Sequence, residues 1–206
     1  MAELDHIRWL GGGSGAGKTT VARRLAERSG LSIYSTDATI GVHASKLSEA
    51  AAPLLAGFQR MSMDERWVLC EPREMYRTFP WFHGEGFELL IEDLHALPTD
   101  RITLVEGFRL LPHLVRPLLG APAHAVWLIP TPAFRRDVFA ARDPSQAFWL
   151  QTTDPERALA NLLVRDELFT DAIAAGAVRD GLTTIAVDGR QPVDPTVAAI
   201  ADQFDL

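Results

Sequence analysis

Eight consecutive residues near the N-terminus, Gly12-Gly13-Ser14-Gly15-Ala16-Gly17-Lys18-Thr19, combine residue types with one shared chemical use. Glycines let the backbone turn so that successive N–H groups face one point. A lysine brings a positive charge to that point, and a hydroxyl is a hard-oxygen ligand for Mg²⁺. The spacing G-x-x-x-x-G-K-[ST] suits a run of phosphates, cradled by the loop and by the positive N-terminal end of the next helix. Lys18 then lies across the β- and γ-phosphates, the Thr19 hydroxyl reaches the metal, and Thr20 continues the first helical turn. From average residue usage, such a match arises by chance in well under about one chain in a hundred. A site for ATP with Mg²⁺ is the expectation.

Elements on either side suit the loop. The apolar run His6–Leu10 precedes it as a strand, and Thr20–Ser29 follows with good helix formers before Gly30 closes the turn. Further strand candidates are Leu31–Thr36, Arg101–Val105, His124–Ile129 and Thr183–Val187. Short β-branched runs separated by helical patterns predict buried parallel strands and a three-layer α/β sheet. Asp37–Asp100 and Thr131–Gly181 are too long for single crossovers, so each is expected to carry helices of its own. In the first, Ser62-Met63-Asp64-Glu65 has capping-box spacing, Gly84–Leu97 has helical periodicity, and Pro53 breaks the Ala44–Arg60 segment. In the second, Thr131-Pro132 and Asp154-Pro155 each pair an N-cap with proline at the first helical position. The latter helix is expected to end near Gly176, and Asp143–Thr153 reads as a mobile loop.

Composition excludes several classes. The 206 residues hold 27 acids against 20 bases, a net charge of −7, which argues against nucleic acid as a partner. The bases are eighteen arginines and two lysines, Lys18 and Lys46. A single cysteine, Cys70, forms no internal disulfide, and the histidines lack metal-ligand spacing. Glu3, Asp5 and Arg8 surround a very short apolar run, unlike a signal peptide, and no stretch approaches a membrane span. A cytoplasmic protein with no membrane partner is expected; oligomeric state is left open. Asn161, the sole asparagine, is followed by Leu162, so the guanine-reading Asn-Lys-x-Asp is missing, as is the transporter signature Leu-Ser-Gly-Gly.

The chain resembles the P-loop small-molecule and nucleoside-monophosphate kinases, the group of adenylate, shikimate, gluconate and 2-phosphoglycerate kinases and chloramphenicol phosphotransferase. Besides the P-loop, the resemblance rests on Tyr34-Ser35-Thr36-Asp37 closing the second strand. It rests too on Leu104-Val105-Glu106-Gly107 closing the third, before Phe108-Arg109-Leu110-Leu111-Pro112. It covers the whole chain in layout, and no single member matches closely. It implies one P-loop NTPase domain over residues 1–206, a five-stranded parallel sheet in the order 2-3-1-4-5, a helical acceptor-binding insert over 38–100, and an arginine-bearing lid with its following helix over 131–181. The implied activity is transfer of the ATP γ-phosphate to a small hydroxyl-bearing molecule or a nucleotide phosphate. A nucleotide-binding regulatory ATPase without a small-molecule acceptor is the alternative.

Asp37, at the carboxyl end of the second strand, can take the acceptor's proton, hold a water on Mg²⁺, or cap the following helix. Glu106 suits a contact to Mg²⁺ or a salt bridge to a lid arginine, and the reverse assignment of the two acids fits equally. Arg109 suits an anionic acceptor or a solvated surface. Arg135 and Arg142, seven apart, fall on one face of a helix where guanidinium groups could stabilise the transferred phosphoryl group. Arg165 could join them, with Asp166 and Glu167 as ordinary helix-surface partners. Phe79, Trp81 and His83, with Trp67, Tyr76 and Phe82, suit either a hydrophobic core or a pocket for a ring-bearing acceptor.

Overall fold

The computed structural model describes residues 4–206; Glu3, used above in reading the N-terminus, lies outside them. In chain order the elements begin with β1 (Ile7–Gly12), α1 (Lys18–Ser29), β2 (Ser32–Ser35), α2 (Ile40–Lys46), α3 (Pro53–Arg60), α4 (Pro72–Thr78) and α5 (Phe87–His95). They continue with β3 (Thr103–Glu106), α6 (Pro112–Val115), β4 (Ala125–Pro130), α7 (Pro132–Ala140), α8 (Pro155–Arg179), β5 (Thr183–Val187) and α9 (Val193–Gln203). The five strands form one sheet in the order β2-β3-β1-β4-β5, with every pairing parallel.

Alternation along the central strands builds a core on each face. Ile7 and Trp9 of β1, Val105 of β3 and Trp127 of β4 face one side, where Leu90 and Leu94 of α5 and Phe169 and Ile173 of α8 cover them. Leu10, Leu104, Val126 and Leu128 face the other side, against Val21 and Leu25 of α1 and Ile200 of α9. Each large apolar side chain so buried contributes about 1.5–3 kcal/mol. The sheet is therefore covered by helices on both faces, as a parallel sheet requires. Trp127 is fully buried and donates its indole N–H to Leu110 O at 2.8 Å.

Register fixes what leaves the carboxyl edge. Leu10 and Ser35 both stand opposite Glu106, so the chain exits β1, β2 and β3 side by side. β1 lies where connections turn from one half of the sheet to the other, the position at which open α/β sheets bind ligands.

Local signals were followed with some differences. The capping box forms reciprocally: Ser62 N–H donates to Glu65 Oε2 at 2.7 Å, and Glu65 N–H to Ser62 Oγ at 3.3 Å. It opens only a five-residue π-helical turn, Glu65–Leu69, because Pro72 and the extended Cys70 stop propagation. Thr131 and Asp154 cap α7 and α8 through Phe134 N–H and Arg157 N–H. Helix α8 runs past Gly176 to Arg179. Gly176 packs against Pro112 inside the helix, and the left-handed residue beyond the end is Gly181. Asp143–Thr153, expected to be mobile, folds into two 3₁₀ turns whose Trp149 is buried against Phe139.

Candidate functional site

β1 ends at Gly12 with φ +135°, where a Cβ would stand 2.2 Å from Leu128 O; only glycine lets the chain turn this close to β4. Gly17 caps the next helix from the left-handed region, at φ 78° and ψ 17°, and Lys18 opens α1. N–H groups in that first turn have no helical partners and converge beside the loop. Lys18 donates from Nζ to Gly12 O at 3.1 Å and Gly13 O at 2.9 Å. Burial pushes its pKa down, against the opposing pull of Asp37, Glu106 and Asp166.

The two acids differ in setting. Glu106, 1% exposed at the end of β3, accepts from Ser35 Oγ at 2.7 Å and from Thr19 Oγ1 at 3.3 Å. Asp37 is exposed and accepts from Thr36 Oγ1 at 3.2 Å. At Gly107 (φ +150°), a Cβ would overlap Thr36 Oγ1 at 1.8 Å, so β2 and β3 can release their chains together only with glycine there. Among the described residues, no group of three or more His, Cys, Asp or Glu side chains could enclose a metal. Thr19 and Glu106 instead form an open pair of oxygen donors. Mg²⁺ suits such a pair, because it keeps waters and takes substrate phosphates as ligands.

The arginines have four different fates. Arg109 is buried: it donates from Nη1 to Thr36 O and to His43 Nδ1, and from Nη2 to Gly86 O, while lying over Trp81. It braces the backbone ahead of Asp37 and does not border the cavity described below. Arg135 is also buried, with Nε on Ser14 O at 3.2 Å and Nη2 on Thr170 Oγ1. Arg142 lies beyond the end of α7, so it does not share a helical face with Arg135; it stacks over Phe139, 4.1 Å from the ring centroid. Arg165 sits among Trp67, Phe79 and Phe82, with Nε and Nη2 on Asp166 Oδ1.

One cavity of about 630 Å³ joins these parts, within the range of small-molecule sites. It is bordered by Ser14–Thr20 and Asp37 and by an aromatic wall that includes Phe79 and Trp81. Phe58 and Trp67 enter this wall from the first insert, Phe139 and Phe148 from the second. His83 stands outside: it is exposed and donates from Nε2 to Tyr76 O at 3.0 Å.

Sequence reasoning missed two features. One is the wall's second half, since nothing in Ala147-Phe148-Trp149 distinguishes a cavity lining from a core. The other is a network behind Arg109. Because arginine only donates, His43 Nδ1 accepts, and His43 Nε2–H therefore donates to Asp93 Oδ2 at 2.9 Å. Tyr34 donates to the same oxygen at 2.5 Å. Burial raises the Asp93 pKa, but these two hydrogen bonds outweigh it and hold the carboxyl below its ordinary value.

No family model matches the chain, and no curated protein does. Among solved structures, it is similar to an uncharacterized protein from Eubacterium ventriosum at 15% identity, with 97% of each chain covered and a TM-score of 0.44. No helix among the described residues is long and apolar enough to cross a membrane.

Proposed function

We propose that this protein has the P-loop NTPase fold and is an ATP- and Mg²⁺-dependent phosphotransferase that moves the γ-phosphate to a small hydroxyl-bearing acceptor. The observation that carries this is the continuity of one cavity from the glycine-rich loop to an apolar aromatic wall, with Asp37 on its border.

The chain's residues divide the work. Backbone N–H groups of Gly13–Thr20 bind the phosphates, and Lys18 exchanges its contacts with Gly12 O and Gly13 O for phosphate oxygens. Thr19 and Glu106 would hold Mg²⁺, which when bound offsets the charge of the β- and γ-oxygens. Ser35 keeps the Glu106 carboxylate turned toward Thr19. Asp37 accepts the proton of the acceptor hydroxyl as its oxygen bonds to the γ-phosphorus. The bond from that phosphorus to the β–γ bridging oxygen breaks, and ADP leaves. The aromatic wall and Arg142 exclude water, which would otherwise take the phosphoryl group.

The test is incubation with labelled ATP, Mg²⁺ and a small-molecule cell extract, with product identification by mass. A phosphorylated small molecule, lost with Lys18→Ala and with Asp37→Asn, is the expected result. Tight ATP binding with no transfer to any component would favour the regulatory alternative.

A further inference from the structure

Asp37 does little to place its own carboxylate. It is exposed on the turn between β2 and α2 and takes one hydrogen bond, from Thr36 Oγ1 at 3.2 Å. Its direction is therefore set by the backbone that carries it. Thr36, the residue before it, is tied at both backbone atoms. Its N–H donates to Glu106 O at 2.9 Å, and its carbonyl accepts from Thr39 Oγ1 at 3.0 Å and Arg109 Nη1 at 3.4 Å. The same guanidinium donates to Gly86 O at 3.1 Å and lies 4.6 Å from the centre of Trp81, a ring that borders the cavity. One buried cation thus touches both the backbone of Asp37 and the cavity wall.

Among the described residues, Arg109 meets no carboxylate directly; its charge is linked to one through His43. His43, fully buried on α2, accepts from Arg109 Nη1 at Nδ1, 3.0 Å away, and donates from Nε2 to Asp93 Oδ2 on α5 at 2.9 Å. The ring can serve both partners only as the neutral tautomer with its proton on Nε2, and Asp93, itself held by Tyr34, selects that tautomer. The other tautomer would turn a second donor toward Arg109. We propose that His43, oriented by Asp93, is a positioning residue for phosphoryl transfer. It fixes Arg109, and through Arg109 the Thr36–Asp37 backbone that aims the base. This rests on the phosphotransferase reading of the cavity and adds to it two residues that do not line it. The glycine-rich loop is held separately, through Lys18 and Arg135, so losing this brace acts on turnover and spares nucleotide binding.

Two measurements test this. The first is the initial rate of transfer from labelled ATP to a fixed small-molecule cell extract, followed against ATP concentration. His43→Leu fills the site without hydrogen bonds and should lower the maximal rate about 10- to 100-fold, the cost of misplacing a reacting group by about 1 Å, with KM for ATP unchanged. His43→Gln offers an amide oxygen to Arg109 and an N–H to Asp93, and should restore most of the rate. No loss in His43→Leu, equal loss in both variants, or a rise in KM for ATP in place of a fall in rate overturns the proposal. If His43→Leu does not fold, Asp93→Ala takes its place with the same expectation: it removes the group that orients the ring, and that side chain is 33% exposed. The second measurement is nitrogen NMR, which needs no turnover. Wild-type His43 should show a bare Nδ1 and a protonated Nε2. In the Leu or Ala variant the Asp37 amide signal should move while those of Gly12 and Gly13 stay. A protonated Nδ1, or an unmoved Asp37 signal, overturns the proposal. If wild-type protein transfers no phosphate to any component, the phosphotransferase reading falls, and these signals still decide whether His43 sets Asp37.

Discussion

Arg135 donates its Nε to the backbone carbonyl of Ser14, 121 residues earlier, and so holds the glycine-rich loop from beneath. Sequence spacing placed this guanidinium in a lid above the phosphates. It is buried between α7 and α8, with Thr170 as its second partner.

Arg135→Met should therefore act on loop geometry as well as stability. Losing a buried charged donor to two acceptors should lower the unfolding free energy by about 2–4 kcal/mol, measurable by urea titration. Nucleotide affinity should fall in the same variant. A variant that binds ATP as wild type does would show that the Ser14 contact does not shape the cradle.

Two glycines should respond oppositely to alanine. At Gly12 the added methyl meets Leu128 O and the left-handed φ is strained, so Gly12→Ala should destabilise by at least about 2 kcal/mol and abolish nucleotide binding. At Gly57, inside α3, no atom lies within 4 Å of the new Cβ. Gly57→Ala should stabilise by about 0.5–1 kcal/mol through helix propensity. Paired thermal melts distinguish the two.

Tyr34 supplies a pH signature. Its burial and its bond to Asp93 push the phenol pKa up to about 12. The folded value lies above the ordinary 10, so the stability linked to this proton is fully present below pH 10 and is lost as pH rises toward 12. Ultraviolet titration of the two tyrosines should show one late step, absent in Tyr34→Phe. Two coincident steps near pH 10 would contradict the Tyr34–Asp93 bond.

Asp37 has one hydrogen bond and an exposed side chain, so Asp37→Asn should fold as wild type does. Under the proposed phosphotransferase reading, this variant should slow transfer about 10²–10⁴-fold with little change in ATP affinity, read from initial rates and binding titration. Glu106→Gln should instead weaken the Mg²⁺ dependence, because Glu106 faces Thr19.

Strand positions and the loop were legible because they rest on local patterns: apolar alternation around Leu10, Val105 and Trp127, and glycine spacing before Lys18. Strand order came with the resemblance and matches the sheet. Arginine roles were not legible. Whether Arg109 or Arg135 meets solvent, ligand or a carbonyl depends on Gly86 and His43 from the β2–β3 connection and on Thr170 from the β4–β5 connection, all distant in sequence from the arginine they meet. The helix end at Gly176 failed for a similar reason, since Pro112 from elsewhere in the chain packs on that glycine and the turn falls to Gly181.

The aromatic wall is shared between residues 58–82 and 139–165, which has a consequence for synthesis. As the chain emerges from the ribosome, Phe58, Trp67 and Phe79 are made long before Phe148 and Arg165 exist. The sheet's first three strands can pair while half the wall is still missing, and its closing contacts span about eighty to ninety-five residues of sequence. Among them, Asp64 takes the N–H of Thr153 at 2.8 Å and its hydroxyl at 2.6 Å. The order of translation thus makes the aromatic wall a late event in the life of each new chain, completed only after the glycine-rich loop has been built.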